Sequence, residues 1–466
     1  MLGEDTGFFD KPITRRDSLK SLGRAALISS LLPFIPKNAT AQTKRPNIIF
    51  VLTDDQRWDA LGCMGHPFLK TPNMDRLASE GVLFENAFVT TSLCSPSRAS
   101  FLTGRYAHSH GVRSNATVWN NQNVTFLELI KASGYDTAFI GKWHMPGKGL
   151  PQLRGLDRFI SFTALAGQGM YNNCPLIIDG VETAREGKYI TEDLTDFAIQ
   201  FIEKERTNPF CLYLSHKAAH FGYLPPDHLN RLYNNVDLHL PPESNRWTPF
   251  TGKNLIYGQL FPLDYMYRNY CETLVSVDEQ LGRVIDKLED LGELDNTVII
   301  YAGDNGFFWG EHGLIDKRLA YEESIRIPFI VRGPQIIRNP GRRAGQMILN
   351  IDLAPTLLDM IGLSIPEEIQ GQSFLPILKG ESVPGRHSWL YEYFPDYPIH
   401  VPPITAVRTD RYKYIEYHGV KRNKELFDLH SDPKERTNLM TTSEGQSLAV
   451  TLKQELEQLK QDTGYY

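Results

Sequence analysis

Cysteine is scarce, and the little there is suggests no pairing. Cys63, Cys94, Cys174, Cys211 and Cys271 are five in number, with no CxxC among them. That spacing argues against a thiolate zinc centre and fixes no disulfide framework. Beyond the N-terminal region, no segment offers the ~18 uninterrupted apolar residues that a membrane span needs. A basic excess is missing too. Forty-nine Lys and Arg stand against 55 Asp and Glu, and the net charge of −6 excludes nucleic acid from the expected partners. Any attraction for an anion must therefore come from a local pocket. Internal repeats and low-complexity tracts are absent. What remains is 41% hydrophobic and 22% charged over 466 residues, the composition of a soluble globular chain with room for more than one domain.

The first forty or so residues differ from the rest. Thr14-Arg15-Arg16-Asp17-Ser18-Leu19-Lys20 is a twin-arginine pattern, Ala25 to Pro36 is mostly apolar, and Ala39-Thr40-Ala41 suits a small-residue cleavage site. Basic, apolar and small residues in that order read as a signal peptide over residues 1–41, a targeting segment and not an element of the fold. The expectation is a bacterial protein exported by the twin-arginine machinery, periplasmic or otherwise outside the cytoplasm.

Asn47 to Leu52 (NIIFVL) is a short β-branched run that ends in Thr53-Asp54-Asp55. Such a run predicts a parallel strand buried on both faces. Ligands bind off the C-terminal ends of strands in open α/β sheets. Side chains alternate along a strand, so both carboxylates can face one ion only if the chain turns there. Thr297 to Ala302 (TVIIYA) repeats the arrangement and ends in Gly303-Asp304-Asn305-Gly306. Asp54, Asp55, Asp304 and Asn305 offer only oxygen, which suits Ca²⁺ or Mg²⁺ and not zinc. Two further strands end in cationic or imidazole groups. Asp136 to Ile140 leads into Gly141-Lys142-Trp143-His144, and Phe210 to Leu214 leads into Ser215-His216-Lys217-Ala218-Ala219-His220.

The chain is organised around Thr90 to Arg105, TTSLCSPSRASFLTGR. Pro96 suits the first turn of a helix, because the N–H it lacks would be unpaired there. Cys94 is then expected at a helix N-terminus, where backbone N–H groups and the helix dipole favour negative charge. Arg98 lies one turn on and can reach back over the same spot. C-S-P-S-R followed by A-S-F-L-T-G-R resembles the signature of the formylglycine-dependent sulfatases. The resemblance implies that a separate formylglycine-generating or sulfatase-maturating enzyme oxidises Cys94 to Cα-formylglycine, whose hydrate is the nucleophile. It also implies a divalent cation, calcium before magnesium, on Asp54, Asp55, Asp304 and Asn305, completed by the oxygen derived from Cys94. G-K-W-H resembles the family's lysine–histidine pair at Lys142 and His144. H-K-A-A-H resembles a K-A-P-H pattern with Ala219 in place of proline, which implies His220 as the acid for the leaving alcohol and assigns nothing firm to His216 or Lys217. Lys317, in the D-K-R stretch Asp316 to Arg318, matches a sulfate contact, and Arg318 is a candidate contact to sugar or sulfate. His144 is implied to take back a proton at the Cys94 position.

Tyr267, Tyr270, Leu274, Val277, Leu281, Val284, Leu288 and Leu291 recur at helical spacing, which predicts a covering helix over 264–291. Toward the C-terminus, residues 405–407, 412–417 and 425–428 predict short antiparallel strands, and 447–459 an amphipathic helix. The fold class implied is α/β: an alkaline phosphatase-like mixed β-sheet sandwiched by helices, with a smaller C-terminal antiparallel-sheet subdomain. Residues 44–370 form the expected catalytic domain and 371–466 the subdomain. The G-E-H-G, D-K-R and Y-E-E-S stretches are most similar to sulfatases of sugar sulfates, notably N-acetylglucosamine-6-sulfatases of heparan- or mucin-type glycans. The expected substrate is thus a sulfated saccharide. The alternatives are a phosphonate monoester or phosphodiester hydrolase of the same superfamily and a sulfated-glycan binder without turnover.

Overall fold

Strand β1 (Asn47–Thr53) is buried along its whole length, and its side chains divide between two cores. Ile48, Phe50 and Leu52 enter one, while Ile49 and Val51 enter the other. A strand covered on both faces needs no polar side, which is why NIIFVL reads as one apolar run. The computed structural model describes residues 44–147, 153–238, 240, 262–420 and 424–465. The signal-peptide segment and its Arg15-Arg16 pair lie outside the described residues.

The strands that follow are β2 (Val82–Phe88), β3 (Asp136–Gly141), β4 (Arg158–Ser161), β5 (Leu176–Ile178), β6 (Val181–Thr183), β7 (Phe210–Ser215) and β8 (Thr297–Gly303). After them come β9 (Phe308–Trp309), β10 (Ile315–Asp316), β11 (Phe329–Arg332) and β12 (Arg342–Leu349). All but β9 and β10 form one sheet in the order β12-β2-β11-β8-β1-β7-β3-β4-β5-β6. Its middle, β8-β1-β7-β3, is parallel, and β11 joins antiparallel to β8. The sheet is therefore mixed.

Helices cover both faces. Cys94–Thr103, Phe126–Ala132 and Leu353–Met360 supply Phe101, Leu127 and Leu357 to one core. Pro72–Ser79, Ile190–Ile202 and Leu263–Asp290 supply Leu77, Phe197 and Leu281 to the other. The covering helix runs one residue earlier at each end than its apolar spacing predicts, and Gly292 follows it with φ 65°. Among the described residues, no helix is long and apolar enough to cross a membrane.

A second sheet is antiparallel, in the order β13 (Ser388–Tyr393), β14 (Ile404–Thr409), β15 (Tyr412–Tyr417) and β16 (Lys424–Asp428). Strand β13 has no counterpart in the sequence reading. SWLYEY is mostly aromatic and acidic, and only its burial against the Ser443–Thr463 helix and β14 marks it as core. That helix starts earlier than its apolar pattern because the Thr442 side chain caps it by accepting from Gly445 N–H.

Candidate active site

Register puts the chemistry on one level. Thr53 of β1 pairs with Gly303 of β8, Leu52 with Ser215 of β7, and Gly141 of β3 with Ser215. Each strand therefore hands its next residues to the same edge. Gly141 is needed for this fit: its φ is 118°, and a Cβ there would stand 1.8 Å from the Ser215 carbonyl oxygen. Asp55 supplies the turn that two neighbouring carboxylates require, with φ 56°.

The result is a cluster of Asp54, Asp55, Cys94 and Asp304 whose ligating atoms lie within 4.8 Å of one another. Asp55 N–H donates to Asp304 Oδ1 at 3.0 Å, and Asn305 Nδ2 donates to Asp55 Oδ1 at 2.7 Å. Cys94 opens the Cys94–Thr103 helix, and its Sγ is 3.4 Å from Asp54 Oδ1. Three cations close the cluster. Lys142 Nζ pairs with Asp54 and donates to Gln168 Oε1 at 2.6 Å. Lys317 Nζ pairs with Asp55 and approaches Cys94 Sγ at 3.1 Å. Arg98 donates through Nε to Asp304 at 2.9 Å, and through Nη1 to the Lys142 carbonyl at 2.9 Å and Ser215 Oγ at 2.6 Å. Arg98 therefore holds the framework of the site in place instead of presenting an open fork.

The imidazoles flank this centre. Ser95 Oγ lies 3.4 Å from His144 Nδ1 and donates to the His144 carbonyl at 2.5 Å. His220 Nδ1 faces the Phe221 carbonyl at 3.3 Å, and its Nε2 stands 4.0 Å from Asp55 Oδ2. All of the sequence-derived site residues thus meet at one sheet edge. Arg318 is no surface charge: it is 7% exposed and pairs with Asp316 and with Asp396, which follows β13. Sequence reasoning missed Gln168, Ser215 and Asp396, and also Tyr171, whose hydroxyl donates to the His220 carbonyl at 2.7 Å. Gln168 sits in Gly167-Gln168-Gly169 outside any strand, and Asp396 is remote in the chain, so neither has a local signal.

Burial and neighbouring charge shape the titrations. Burial pushes Asp54 up, but Lys142, His220, Arg98 and Lys317 together outweigh it and hold the carboxyl well below its usual range. Asp304 is pushed up to about 7 by burial and by the Asp54 charge. Burial, then Asp54, raises the Cys94 thiol, so an unmodified Cys94 is a poor thiolate. Burial and then Lys142 hold both His144 and His220 below the imidazole range.

A hard divalent cation fits these residues. The donor set is all oxygen apart from Cys94, and it is rich in negative charge. Asn305 Oδ1 is buried with no hydrogen-bond partner, an acceptor without a donor on a side chain whose Nδ2 already touches Asp55.

Comparison with known proteins matches residues 46–363 to the family described as Sulfatase, and residues 310–462 to N-sulphoglucosamine sulphohydrolase, C-terminal. An N-acetylglucosamine-6-O-sulfatase of Bacteroides thetaiotaomicron is 34% identical over 91% of this chain and 87% of its own length. A solved structure in complex with its substrate, D-glucosamine-2-N,6-O-disulfate, shares 31% identity, with a TM-score of 0.81 over 90% of this chain and 98% of its own. The phosphonate monoester hydrolase of Agrobacterium radiobacter has the same fold, with a TM-score of 0.74 over 90% of this chain and 96% of its own, at 22% identity.

Proposed function

This chain belongs to the sulfatase family, and from that premise we propose that it removes sulfate from sugars of sulfated glycans, N-acetylglucosamine 6-sulfate among them. One observation carries the proposal. Three buried carboxylates and three buried cations surround Cys94 at the start of a helix, on the edge where the central strands end. A sulfate ester resists attack by anions and has a poor leaving group, so its hydrolysis calls for a fixed nucleophile, charge neutralisation and an acid.

We assign the nucleophile to Cys94 after conversion to Cα-formylglycine by a maturating enzyme; the hydrated aldehyde would supply the attacking hydroxyl. Asp54, Asp55, Asp304, Asn305 and the Cys94-derived oxygen would hold calcium; magnesium, which gives up its own water shell reluctantly, is the weaker fit to five ligands supplied by the protein. Bound there, the cation would supply Lewis-acid polarisation and orient a sulfate oxygen. Lys142 and Lys317 neutralise the sulfuryl oxygens, and Arg98 keeps Asp304 and the Lys142 backbone in place. His220 gives a proton to the leaving oxygen through Nε2. Its lowered basicity means that it needs the ester's negative charge beside it to carry that proton. His144 takes up the proton released at position 94. Arg318, steered by Asp316 and Asp396, is assigned to the sugar.

Residues 1–41 are proposed as a signal peptide for twin-arginine export to the periplasm, residues 44–370 as the catalytic domain and 371–466 as the C-terminal subdomain. The test of function is sulfate release from defined sulfated mono- and disaccharides by matured protein, alongside phosphonate and phosphodiester analogues with one common leaving group. Turnover of a 6-sulfated N-acetylglucosamine is the expected result. Faster cleavage of the phosphorus esters would overturn it in favour of the phosphonate hydrolase reading.

A further inference from the structure

Lys217 shares a turn with His220, yet the chemistry above leaves it unused. Its residue is 4% exposed, and among the described residues its ammonium has no ion pair and no hydrogen bond. What it does have is the ring of Tyr171, 4.6 Å from Nζ to the centroid. Tyr171 is itself fixed. It stacks on Tyr189 and donates its hydroxyl to the His220 carbonyl at 2.7 Å. The turn closes on the His220 N–H, which donates to the Lys217 carbonyl at 2.9 Å. One aromatic ring thus props both ends of the segment, and the ammonium is held in a set position.

That position is next to the catalytic cluster. Burial, then the charge of Lys142, pushes Lys217 down to about 8, while Asp54 and Asp55 pull the other way. The other buried cations are committed: Lys142 to Asp54 and Gln168, Lys317 to Asp55, Arg98 to Asp304. An ammonium on a side chain this little exposed, without a counter-charge, is poorly solvated, and an arriving anion offsets that cost. The reacting sulfate already has Lys142 and Lys317. Lys217 stands on the side of His220, where the leaving alcohol must sit.

We propose that Lys217 is a specificity residue that receives a second anionic group, sulfate or carboxylate, on the leaving sugar, so that doubly charged sugar sulfates are the preferred substrates. This deepens, and rests on, the sulfatase reading.

The test is binding, read by calorimetry on Cys94→Ser protein with position 217 unchanged or altered. The first pair of ligands is glucosamine 6-sulfate with an N-sulfate or an N-acetyl group. The second is a sulfated hexuronic acid and the matching neutral sugar sulfate. The parent should prefer the doubly charged member of at least one pair by about 10-fold or more, and which pair it is separates sulfate from carboxylate. Lys217→Met should bring that ratio close to one, and Lys217→Arg should restore part of it. Lys217→Gln takes the place of the methionine variant if that protein does not fold. A parent without preference in either pair, or a Lys217→Met protein that weakens every ligand alike, would overturn the proposal. Turnover of 4-nitrophenyl sulfate by matured protein is measured in parallel. A parent inactive on every sulfate ester would sink the sulfatase reading, while the binding ratio still decides the role of Lys217.

Discussion

Cys94 is 0% exposed and its thiol is raised by burial, so as a cysteine it would carry almost no thiolate at neutral pH. An enzyme built on that residue should therefore not be using it as a thiol. Mass spectrometry of the tryptic peptide containing residue 94 is expected to show the aldehyde or its hydrate in active protein. Fully active protein with only unmodified cysteine would sink the assignment. His220 makes a second prediction. Acid help matters most when the leaving group is a sugar hydroxyl and least when it is a nitrophenolate. His220→Ala should therefore lose on the order of 10²-fold more rate on a sugar sulfate than on 4-nitrophenyl sulfate. Equal losses would make the histidine a positioning residue. Lys317→Ala is the control, because a group that neutralises the sulfuryl oxygens should matter equally to both substrates.

At the scale of elements, the central strands carried their own notice. NIIFVL before Asp54-Asp55 and TVIIYA before Asp304-Asn305 show apolar runs that end in carboxylate and amide groups, and both are strands whose ends meet in register. What could not be read is whatever depends on distant segments coming together. Gln168 reaches Lys142 from an irregular loop, Asp396 reaches Arg318 from beyond β13, and Arg98 turned out to brace the framework because Ser215 and the Lys142 carbonyl lie beside it. The same holds for the latch between the sheets. Lys413 of β15 is 0% exposed and pairs with Glu322 at 2.9 Å and Glu435 at 2.7 Å. Lys413→Met would leave Glu435 without its cation and Glu322 with Arg408 alone, at 3.5 Å, at a cost of about 3–5 kcal/mol. Chemical unfolding measures it, and a loss below about 1 kcal/mol would refute the latch. Glu435 adds a pH signature. Burial pushes it up to about 7 despite Lys413, whereas Glu322 is brought down to about 2 because Lys413 and Arg408 outweigh its burial. A carboxyl raised in the fold contributes stability below its unfolded value of about 4.3, and that contribution is lost as pH rises through 7. The melting temperature of Glu435→Gln should therefore gain on the parent between pH 5 and pH 8. A constant gap across that range would count against it.

For the molecule as a whole, the proposed cation ties the end of β1 to the end of β8 and relieves the crowding of Asp54, Asp55 and Asp304. A ligand held by the folded state alone stabilises that state in proportion to its occupancy. Chelation is expected to abolish sulfate release and to lower the melting temperature by several degrees, with calcium restoring both better than magnesium. Asp304→Ala should purify without the metal; full activity with unchanged metal content would refute the ligand set. One feature of the architecture also sets a clock. The Cys94–Thr103 helix is buried at every position, sealed between the sheet and the segments packed over it. No modifying enzyme can reach residue 94 once that packing is complete. The proposed conversion and folding would then be rivals in time: a molecule that closes first would keep its thiol for life. The twin-arginine export proposed for residues 1–41 takes proteins already folded, and by that route the fate of each copy would be settled in the cytoplasm before it meets any substrate.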